Sequence, residues 1–326
     1  MRIALLTGGI SAERPISLRS SEWLTSFIAQ TEHTCDVYDI PAELDNFLTK
    51  YSEYDIVLPY IHGQYGEDGI LTGLCETLGL RYMWCPATTH ALCIDKFRTN
   101  CVIEKIEKRV KIPRSWLVGV TTFDDVGITQ ETEQLPYPLI VKPNMGGSSA
   151  FTKKVSTYTE LTAAIDVIKN ASVEWMVIGN KHFKTAPDTA LVQECIEGEE
   201  YTVGITGTPD DAQALPIMQI VNVKAAFFDW QEKYESDGSN EIFPDNINPE
   251  LKERLILASR VIYSSLNCRG LARIDYRVRG NEIFFLEVNT FPGATGASFI
   301  PKMWQKTGKG MGEFIEMLIE TSIPRN

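Results

Sequence analysis

The sequence has few of the features that mark membrane, secreted or disulfide-stabilised proteins. It contains no apolar run that approaches the length of a membrane span. The first residues, MRIALLTGGISAER, pass from a short strand pattern into a glycine turn, without the apolar core and cleavage site of a signal peptide. Its seven cysteines form no C-x-x-C pair, and their odd number suits reduced thiols better than a disulfide scaffold. We therefore expect a cytoplasmic protein without a membrane partner.

Positive charge and histidine are also scarce. Lysine and arginine number 31 against 43 aspartates and glutamates, so the formal net charge is −12. This balance argues against broad affinity for nucleic acid, although a local basic pocket for a small anion is compatible with it. Only four histidines are present, and His62 has no second one nearby in YIHGQYGEDGIL. We interpret His62 as a substrate contact or a buried, hydrogen-bonded imidazole rather than a metal ligand.

The order of strand and helix patterns predicts an α/β protein with three domains. A chain of 326 residues with 44% hydrophobic and 23% charged residues can bury a large core. Strand and helix patterns alternate at 1–95, which predicts a parallel sheet with covering helices. A second α/β unit follows at 96–185, and 186–326 has the strand-rich pattern of a largely antiparallel sheet. Within the last domain, the polar stretch DWQEKYESDGSNEIF at 229–243 is either a mobile lid or an exposed loop.

The segment GLARIDYRVRGNEIFFLEVNTFPG at 270–293 has the pattern of a β-hairpin. Two runs rich in β-branched and aromatic residues flank the turn sequence RGN. Side chains alternate between the two faces of a strand. If the loop consists of those three turn residues, Asp275 lies opposite Phe285 and Arg273 lies opposite Glu287.

One face of this hairpin gathers groups that can bind a metal ion. The residues of this face are Arg273, Asp275, Glu287 and Asn289. The other face is apolar and consists of Ile274, Tyr276, Phe284, Leu286 and Val288. Carboxylate and amide oxygens are ligands that Mg²⁺ prefers, usually together with substrate phosphates. A solvated outer face is the alternative that the hairpin alone leaves open.

Two glycine-rich segments are candidates for ligand binding. YPLIVKPNMGGSSAF at 137–151 leads from an apolar strand with Lys142 into a G-G-S-S loop, whose amides and hydroxyls suit an anion. A plain turn is the alternative, and the segment is not a P-loop, because no lysine follows the glycines. In LLTGGISAERPISL at 5–18, Glu13 and Ser17 can hold a cationic group or stabilise a helix N-terminus. A dinucleotide site is disfavoured there because G-x-G-x-x-G is absent.

Seven segments, in this order, resemble the D-alanine–D-alanine ligases, a family of the ATP-grasp superfamily. They are GGISAERPISL, HGQYGEDGILTGLCETLGLRY, IDKFRT, VKPNMGGSSAF, EGEEYTVGI, EKYESDG and ARIDYR…FFLEVNTFPGATGASFIPKMW. The resemblance spans nearly the whole chain. It implies an ATP-grasp fold with three α/β or α+β domains, a nucleotide bound between the central and C-terminal domains, and a lid loop at 226–243.

The resemblance implies the residues of an ATP site. Lys96 and Lys142 match the lysines that hold the α- and β-phosphates of ATP. Gln193 and Glu200 match an adenine contact and a carboxylate that binds the ribose. Lys233, on the lid, matches a lysine that reaches the γ-phosphate.

The resemblance also assigns roles to the polar face of the hairpin. Asp275, Glu287 and Asn289 match the ligands of two Mg²⁺ ions, which Mn²⁺ can replace. Arg273 matches the arginine that stabilises the transferring phosphoryl group and the tetrahedral intermediate. The backbone N–H of Gly293 matches an oxyanion donor.

A third set of matches concerns the two amino-acid substrates. Glu13 matches the carboxylate that receives the ammonium group of the first D-alanine, and Ser148 and Tyr234 match its hydrogen-bonded partners. Ser298 matches the residue that holds the carboxylate of the second D-alanine. Phe299 departs from the family pattern, because an aliphatic residue usually lines the pocket of the second substrate at this position.

The function that the resemblance implies is ATP-dependent ligation of two D-alanine molecules through an acyl phosphate, for peptidoglycan precursor synthesis. Two alternatives remain at this point: a ligase with D-serine or D-lactate as acceptor, and a catalytically silent ATP-grasp protein that binds nucleotide. Tyr234 favours an amino acceptor over D-lactate, and the set of Arg273, Asp275, Glu287, Asn289 and Lys142 argues against a silent protein. The resemblance further implies a homodimer and activation by K⁺.

Overall fold

The computed structural model describes residues 1–11, 13–119, 136–146, 151–170, 176–178, 181–183, 189–222, 239–296 and 298–324. Three predicted site residues, Ser148, Lys233 and Tyr234, lie outside these ranges, as does most of the predicted lid. None of the helices in the described ranges is long and apolar enough to span a membrane.

The N-terminal region contains the parallel sheet that the alternating pattern predicts. Its strands are β1 (Arg2–Gly8), β2 (Thr34–Ile40) and β3 (Ile56–Pro59), in the order β2-β1-β3. The helices of this region are α1 (Arg14–Ile28), α2 (Leu44–Lys50), α3 (Ile70–Thr77) and α4 (Ala87–Ile94). In β1, every residue after the first is buried, as expected for a central parallel strand covered on both faces.

The central region begins with α5 (Lys96–Ile106) and continues into a four-stranded antiparallel sheet. The further elements are β4 (Ser115–Gly119), β5 (Leu139–Pro143), β6 (Lys153–Val155), α6 (Tyr158–Asn170), the pair β7 (Met176–Ile178) and β8 (Lys181–Phe183), and β9 (Thr189–Glu194). The order of the main sheet is β4-β9-β5-β6. In α6, Leu161, Ala164, Ile165 and Ile168 are buried with this sheet, at the spacing of one helix face.

The position of β9 differs from the prediction. The predicted boundary between 185 and 186 assigned this strand to the C-terminal domain. In the structure β9 pairs with β4 on one side and β5 on the other, so it is an inner strand of the central sheet. The sequence pattern correctly predicted a strand here, but the alternation of side chains along a strand does not determine which sheet the strand joins.

The C-terminal region contains the predicted antiparallel sheet. Its elements are β10 (Glu199–Thr208), β11 (Asp211–Ala214), β12 (Met218–Asn222), β13 (Ser239–Ile242), α7 (Pro249–Ser265), β14 (Gly270–Arg279), β15 (Glu282–Asn289), α8 (Phe299–Lys306) and α9 (Met311–Glu320). The strand order is β13-β12-β10-β14-β15, with β11 also paired to β10. Helix α7 starts where the side chain of Asn248 accepts hydrogen bonds from two backbone N–H groups and Pro249 takes the first helical position.

The N- and C-terminal regions share one hydrophobic core. Leu5 of β1 and Leu24 of α1 belong to the same buried cluster as Trp304 of α8 and Phe314 of α9. Phe291, just after β15, belongs to it too. This common core fixes the end of the hairpin β14–β15 against the first domain.

Candidate active site

A β-bulge sets the register of the hairpin β14–β15. Arg279 lies opposite Glu282, so the loop has two residues, and Gly280 takes the left-handed conformation (φ 60°) that suits glycine in such a turn. Tyr276 pairs with Phe285, whereas the next residue back, Asp275, pairs with Glu287. Leu286 is therefore the extra residue of the bulge.

The bulge brings the polar residues of the hairpin directly together. Asp275 lies opposite Glu287, and Arg273 lies opposite Asn289. The predicted pairs were wrong, because they assumed a three-residue loop and a regular ladder. The predicted polar face is nevertheless present. Arg273 and Asp275 are two residues apart on β14, and their partners Asn289 and Glu287 are two apart on β15, so all four side chains lie on the same face.

The apolar face needs a related correction. Ile274, Tyr276 and Val288 lie in the core as predicted. Their partners on the far side of the bulge are Ile283 and Phe285, rather than the predicted Phe284 and Leu286. An extra residue in one strand reverses the alternation beyond it, which the uniform period of two did not anticipate.

The carboxylate of Asp275 is the centre of a hydrogen-bond network. Arg273 binds it through two nearly parallel contacts, Nε–Oδ1 and Nη2–Oδ2, both at 2.9 Å. The hydroxyl of Thr202 donates to Oδ1 at 2.6 Å, and the amide nitrogen of Asn289 donates to Oδ2 at 3.0 Å. That nitrogen is also 3.4 Å from Oε1 of Glu287. Bidentate ion pairs of this kind hold both partners in a fixed geometry.

The donor set on this face fits a hard divalent cation. The carboxamide of Asn289 lies within hydrogen-bond distance of the carboxylates of both Asp275 and Glu287. In the described ranges, no group of three or more His, Cys, Asp or Glu side chains is arranged as a metal cluster. Two carboxylates and one carboxamide would fill only part of the octahedral shell of Mg²⁺, whose remaining positions are typically taken by phosphates and water.

Two lysines lie beside these carboxylates. The amine of Lys96, at the start of α5, is 3.7 Å from Oε2 of Glu287 and donates to the backbone oxygen of Gly146. Burial lowers the pKa of Lys142, on β5, to about 8, although the nearby carboxylates of Glu287 and Asp275 act in the opposite direction. The two amines and the hairpin thus form one charged cluster suited to a polyphosphate.

The predicted adenine and ribose contacts lie on strands of the two adjacent sheets. Gln193 of β9 is buried, and its side-chain nitrogen donates to Oγ of Ser115 at 3.1 Å. Glu200 of β10 accepts from Nη2 of Arg277 at 2.6 Å. Lys142 lies in the electrostatic field of Glu200, which places that residue near the same cluster.

A second part of the site is a cleft of about 490 Å³ beside Arg273 and Asn289 of the hairpin. It brings together seven of the predicted site residues, Glu13, His62, Arg273, Asn289, Gly293, Ser298 and Phe299. Because Arg273 also binds Asp275, this residue connects the cleft to the charged cluster.

The wall of the cleft beside α1 is closely packed. Glu13 precedes α1, and a Cβ atom at Gly63 would lie 3.1 Å from its Oε2 and 2.6 Å from Oγ of Ser11. His62 is buried, and its Nδ1 is 3.5 Å from Oε1 of Glu67. Ser17 was predicted to hold a cationic group together with Glu13, but it does not line the cleft. Its hydroxyl faces the interior and accepts from the backbone N–H of His62 at 2.9 Å.

The opposite wall is formed by the residues after β15. A Cβ atom at Gly293 would lie 2.7 Å from Oγ of Ser298, so a side chain at this position would displace the Ser298 hydroxyl. Oγ of Ser298 is also 2.8 Å from Oγ1 of Thr295. The ring of Phe299 lies under the guanidinium of Arg273, with 5.2 Å between Cζ and the ring centroid. Phe299 therefore contacts the cleft and the arginine together.

Several residues of the site were not predicted. Arg19, Trp23 and Glu241 also line the cleft, and the indole of Trp23 covers Gly296, where a Cβ atom would lie 2.5 Å from it. Glu67 lines this cleft as well as a smaller pocket beside Lys96 and is therefore shared by both parts of the site. The spacing of 16, 19 and 23 along α1 was a usable signal for one helix face, whereas Glu241 had none.

Comparison with known proteins gives one family. A model described as D-ala D-ala ligase C-terminus matches residues 118–320. The D-alanine–D-alanine ligase of Fervidobacterium nodosum is 33% identical over 330 residues, which cover 98% of each chain. That of Bacillus anthracis is 31% identical over 323 residues, which cover 99% of this chain and 97% of the relative.

Solved structures agree with this result. The crystal structure of the Bacillus anthracis D-alanine–D-alanine ligase complexed with ATP has a TM-score of 0.80 and 26% identity, covering 98% of this chain and 97% of its own. The VanG D-Ala:D-Ser ligase from Enterococcus faecalis has a TM-score of 0.78 and 27% identity, covering 98% of both chains.

Proposed function

The chain belongs to the D-alanine–D-alanine ligase family and has the ATP-grasp fold, and on this premise we propose that it uses ATP to join two D-alanine molecules. The observation that carries the proposal is the position of Arg273. Its guanidinium binds Asp275 in the charged cluster and also lines the cleft that holds Glu13 and Ser298. A phosphate group and an amino-acid carboxylate could therefore meet at this side chain.

The charged cluster is the ATP end of the proposed site. Lys96 and Lys142 bind the α- and β-phosphates, and Lys233 reaches the γ-phosphate from the lid. Asp275, Glu287 and Asn289 hold two Mg²⁺ ions, which Mn²⁺ can replace, and the metal neutralises charge on the phosphates when bound. Gln193 and Glu200 contact adenine and ribose. The support for this assignment is the set of oxygen ligands on the hairpin and the position of Lys96 and Lys142 beside its carboxylates.

The cleft is the amino-acid end of the proposed site. Glu13 binds the ammonium group of the first D-alanine, with Ser148 and Tyr234 as its hydrogen-bonded partners. Ser298 binds the carboxylate of the second D-alanine, and Phe299 and His62 form part of the pocket walls. The support for this assignment is that the cleft is lined by Glu13, His62, Arg273, Gly293, Ser298 and Phe299 together.

The chemistry follows from the weakness of a carboxylate as an acyl donor. A carboxylate oxygen of the first D-alanine attacks the γ-phosphorus, which releases ADP and leaves an acyl phosphate. The free amine of the second D-alanine then attacks the carbonyl carbon, and inorganic phosphate leaves as the amide forms. Arg273 and the backbone N–H of Gly293 stabilise the oxyanion between these events. A lid at 226–243 keeps water from the acyl phosphate.

The setting of the reaction is part of the same proposal. The dipeptide is a precursor of peptidoglycan, and an ATP-dependent reaction suits the cytoplasm, as do cysteines that are all free thiols. We place the domains at 1–95, 96–194 and 195–326, with the second boundary moved beyond β9 because of its pairing. A homodimer and activation by K⁺ complete the proposal on the strength of the family.

The function is tested by phosphate release from Mg-ATP with D-alanine, L-alanine, D-serine or D-lactate, with products identified by mass spectrometry. We expect release with D-alanine alone, together with its dipeptide. Activity only when D-serine or D-lactate is added to D-alanine would show that the acceptor site binds that molecule instead of D-alanine. D-serine is the acceptor named for one structural neighbour. Silence with every substrate would leave a nucleotide-binding protein without ligase activity.

A further inference from the structure

The turn after β15 connects two groups that the proposed reaction needs in fixed positions. Asn289 ends the strand on the polar face of the hairpin, and Gly293, whose backbone N–H is the proposed oxyanion donor, lines the cleft four residues later. Their distance and orientation depend on the three residues between them. This inference rests on the proposed function, because it concerns how these two groups are held.

Each of the three intervening residues has a partner from the first ninety residues. The hydroxyl of Thr290 is 2.7 Å from Nδ1 of His90, on α4. The carbonyl of Pro292 accepts from the hydroxyl of Tyr60 at 2.6 Å. Between them, the ring of Phe291 is stacked on the His90 imidazole, with centroids 4.4 Å apart and an interplanar angle of 1°.

Two further rings complete the surroundings of Phe291. Tyr60 and Trp84 meet it edge to face, at centroid distances of 5.8 and 5.5 Å. All of these side chains are fully buried or nearly so. The hydroxyl of Thr290, the ring of Phe291 and the carbonyl of Pro292 are therefore all held by aromatic residues from another part of the chain.

This aromatic group contains features that packing alone does not require. His90 is 0% exposed, and its Nε2 has no hydrogen-bond partner among the described residues. The indole N–H of Trp84 is likewise buried without one, and Trp84 has a positive φ of 79°, which is uncommon for a bulky residue. Buried unpaired polar atoms and unusual backbone conformations disfavour folding, so their presence here points to a role in the site.

We propose that His90 is a positioning residue for the ligation. Through the hydroxyl of Thr290 and the ring of Phe291, it fixes the turn that carries the carboxamide of Asn289 and the N–H of Gly293. Burial lowers the pKa of His90 to about 3, so the ring is neutral and acts as a hydrogen-bond partner and stacking surface rather than as a charge. His90 does not line the cleft.

The decisive variant is His90→Phe. It keeps a planar ring against Phe291 and removes the unpaired nitrogen, so a purely structural role predicts unchanged or increased stability and unchanged turnover. The positioning role instead predicts an unchanged melting temperature with a kcat about tenfold lower, because misplacement of reacting groups slows the chemical step. The KM for the first D-alanine should stay the same, since Glu13 lies on the other wall.

The same hydrogen bond can be removed from its other end. Thr290→Val should reduce kcat to the same extent, Thr290→Ser should keep the wild-type value, and the double variant His90→Phe/Thr290→Val should be no slower than either single variant. Full activity of both Thr290→Val and His90→Phe, or additive losses in the double variant, would overturn the proposal. If His90→Phe is unstable, the comparison of Thr290→Val with Thr290→Ser still tests the proposal.

A second readout does not depend on turnover. Mg²⁺ with a non-hydrolysable ATP analogue should raise the melting temperature of the wild type by more than that of His90→Phe, because the turn also holds Asn289. Equal shifts in both proteins would contradict the proposal. If the wild type formed no dipeptide, the proposed function would fail, whereas this measurement would still test the role of His90.

Discussion

The charged cluster and the cleft beside it are built in different ways. The centre of the cluster comes from a single hairpin, in which Asp275 receives hydrogen bonds from Arg273 and Asn289 of the same two strands. The cleft is assembled from segments far apart in sequence, with Glu13, His62 and Ser298 contributed by three different loops. The centre of the cluster is thus a local structure, whereas the cleft exists only when segments from the N- and C-terminal regions pack together.

This difference predicts how variants at each end behave. Changes in the hairpin should affect the reaction itself, because they alter a network that is already formed. Changes in the cleft should affect the binding of one amino acid and leave ATP binding intact. The following variants test that division, in order of decreasing effect.

The largest effect is expected for Arg273→Ala. It removes the side chain that connects the two ends, so kcat for dipeptide formation should fall by about a thousandfold, while the KM for ATP changes little. Arg254→Ala is the matched control, because Arg254 donates to the backbone oxygen of Asn281 in the turn of the hairpin, away from Asp275. Comparable losses in both variants would show that the hairpin responds as a structural unit rather than through Arg273.

Glu13→Gln should act at the cleft only. Loss of the negative charge should raise the KM for D-alanine at the first site by about tenfold or more, because a desolvated carboxylate–ammonium contact is replaced by a neutral one. The KM for ATP should not change. Steady-state kinetics with either substrate varied will show this, with Glu253→Gln on the exposed side of α7 as the control. A parallel rise in the KM for ATP would contradict the division between the two ends.

Lys142 should make ATP binding sensitive to pH. Burial lowers the pKa of this lysine to about 8, so its amine is charged below that pH and neutral above it. Affinity for ATP should therefore be retained below about pH 8 and decrease as pH rises further, by up to about tenfold per unit. Lys142→Arg should remove this dependence, because guanidinium stays charged. The same pH profile in both proteins would assign the effect to another group.

The smallest effect is expected for Phe299→Leu. The ring contacts the guanidinium of Arg273 and lines the cleft, so its loss should change the KM for the second D-alanine by only about two- to fivefold. Competition between D-alanine and D-serine as acceptors measures the effect on selectivity. A large fall in kcat would show that Phe299 acts on Arg273 rather than on the acceptor pocket.

The same division explains what could be predicted from the sequence. The polar face of the hairpin follows from alternation within a few residues, so Arg273, Asp275, Glu287 and Asn289 were grouped correctly. The bulge at Leu286 was missed, because it depends on how the apolar side packs. Its consequence is substantial, since it places Asp275 directly opposite Glu287.

For residues from distant segments, the glycine-rich segments alone indicated Glu13 and His62, and the family resemblance supplied the remaining residues and their specific roles. Glu241 of β13 lines the cleft as well, and no local pattern reveals this. The partners of Phe291 come from 60, 84 and 90, and no periodicity connects these positions. Likewise, the pairing of β9 with β4 and β5 is a property of the whole sheet.

The most direct test of the ligase reaction is the fate of a carboxylate oxygen. D-alanine labelled with ¹⁸O in its carboxylate would be incubated with Mg-ATP and the protein, and the inorganic phosphate would be analysed by mass spectrometry. An acyl phosphate route predicts that one labelled oxygen appears in phosphate for every dipeptide formed. Phosphate without label, or label without dipeptide, would contradict the proposed reaction.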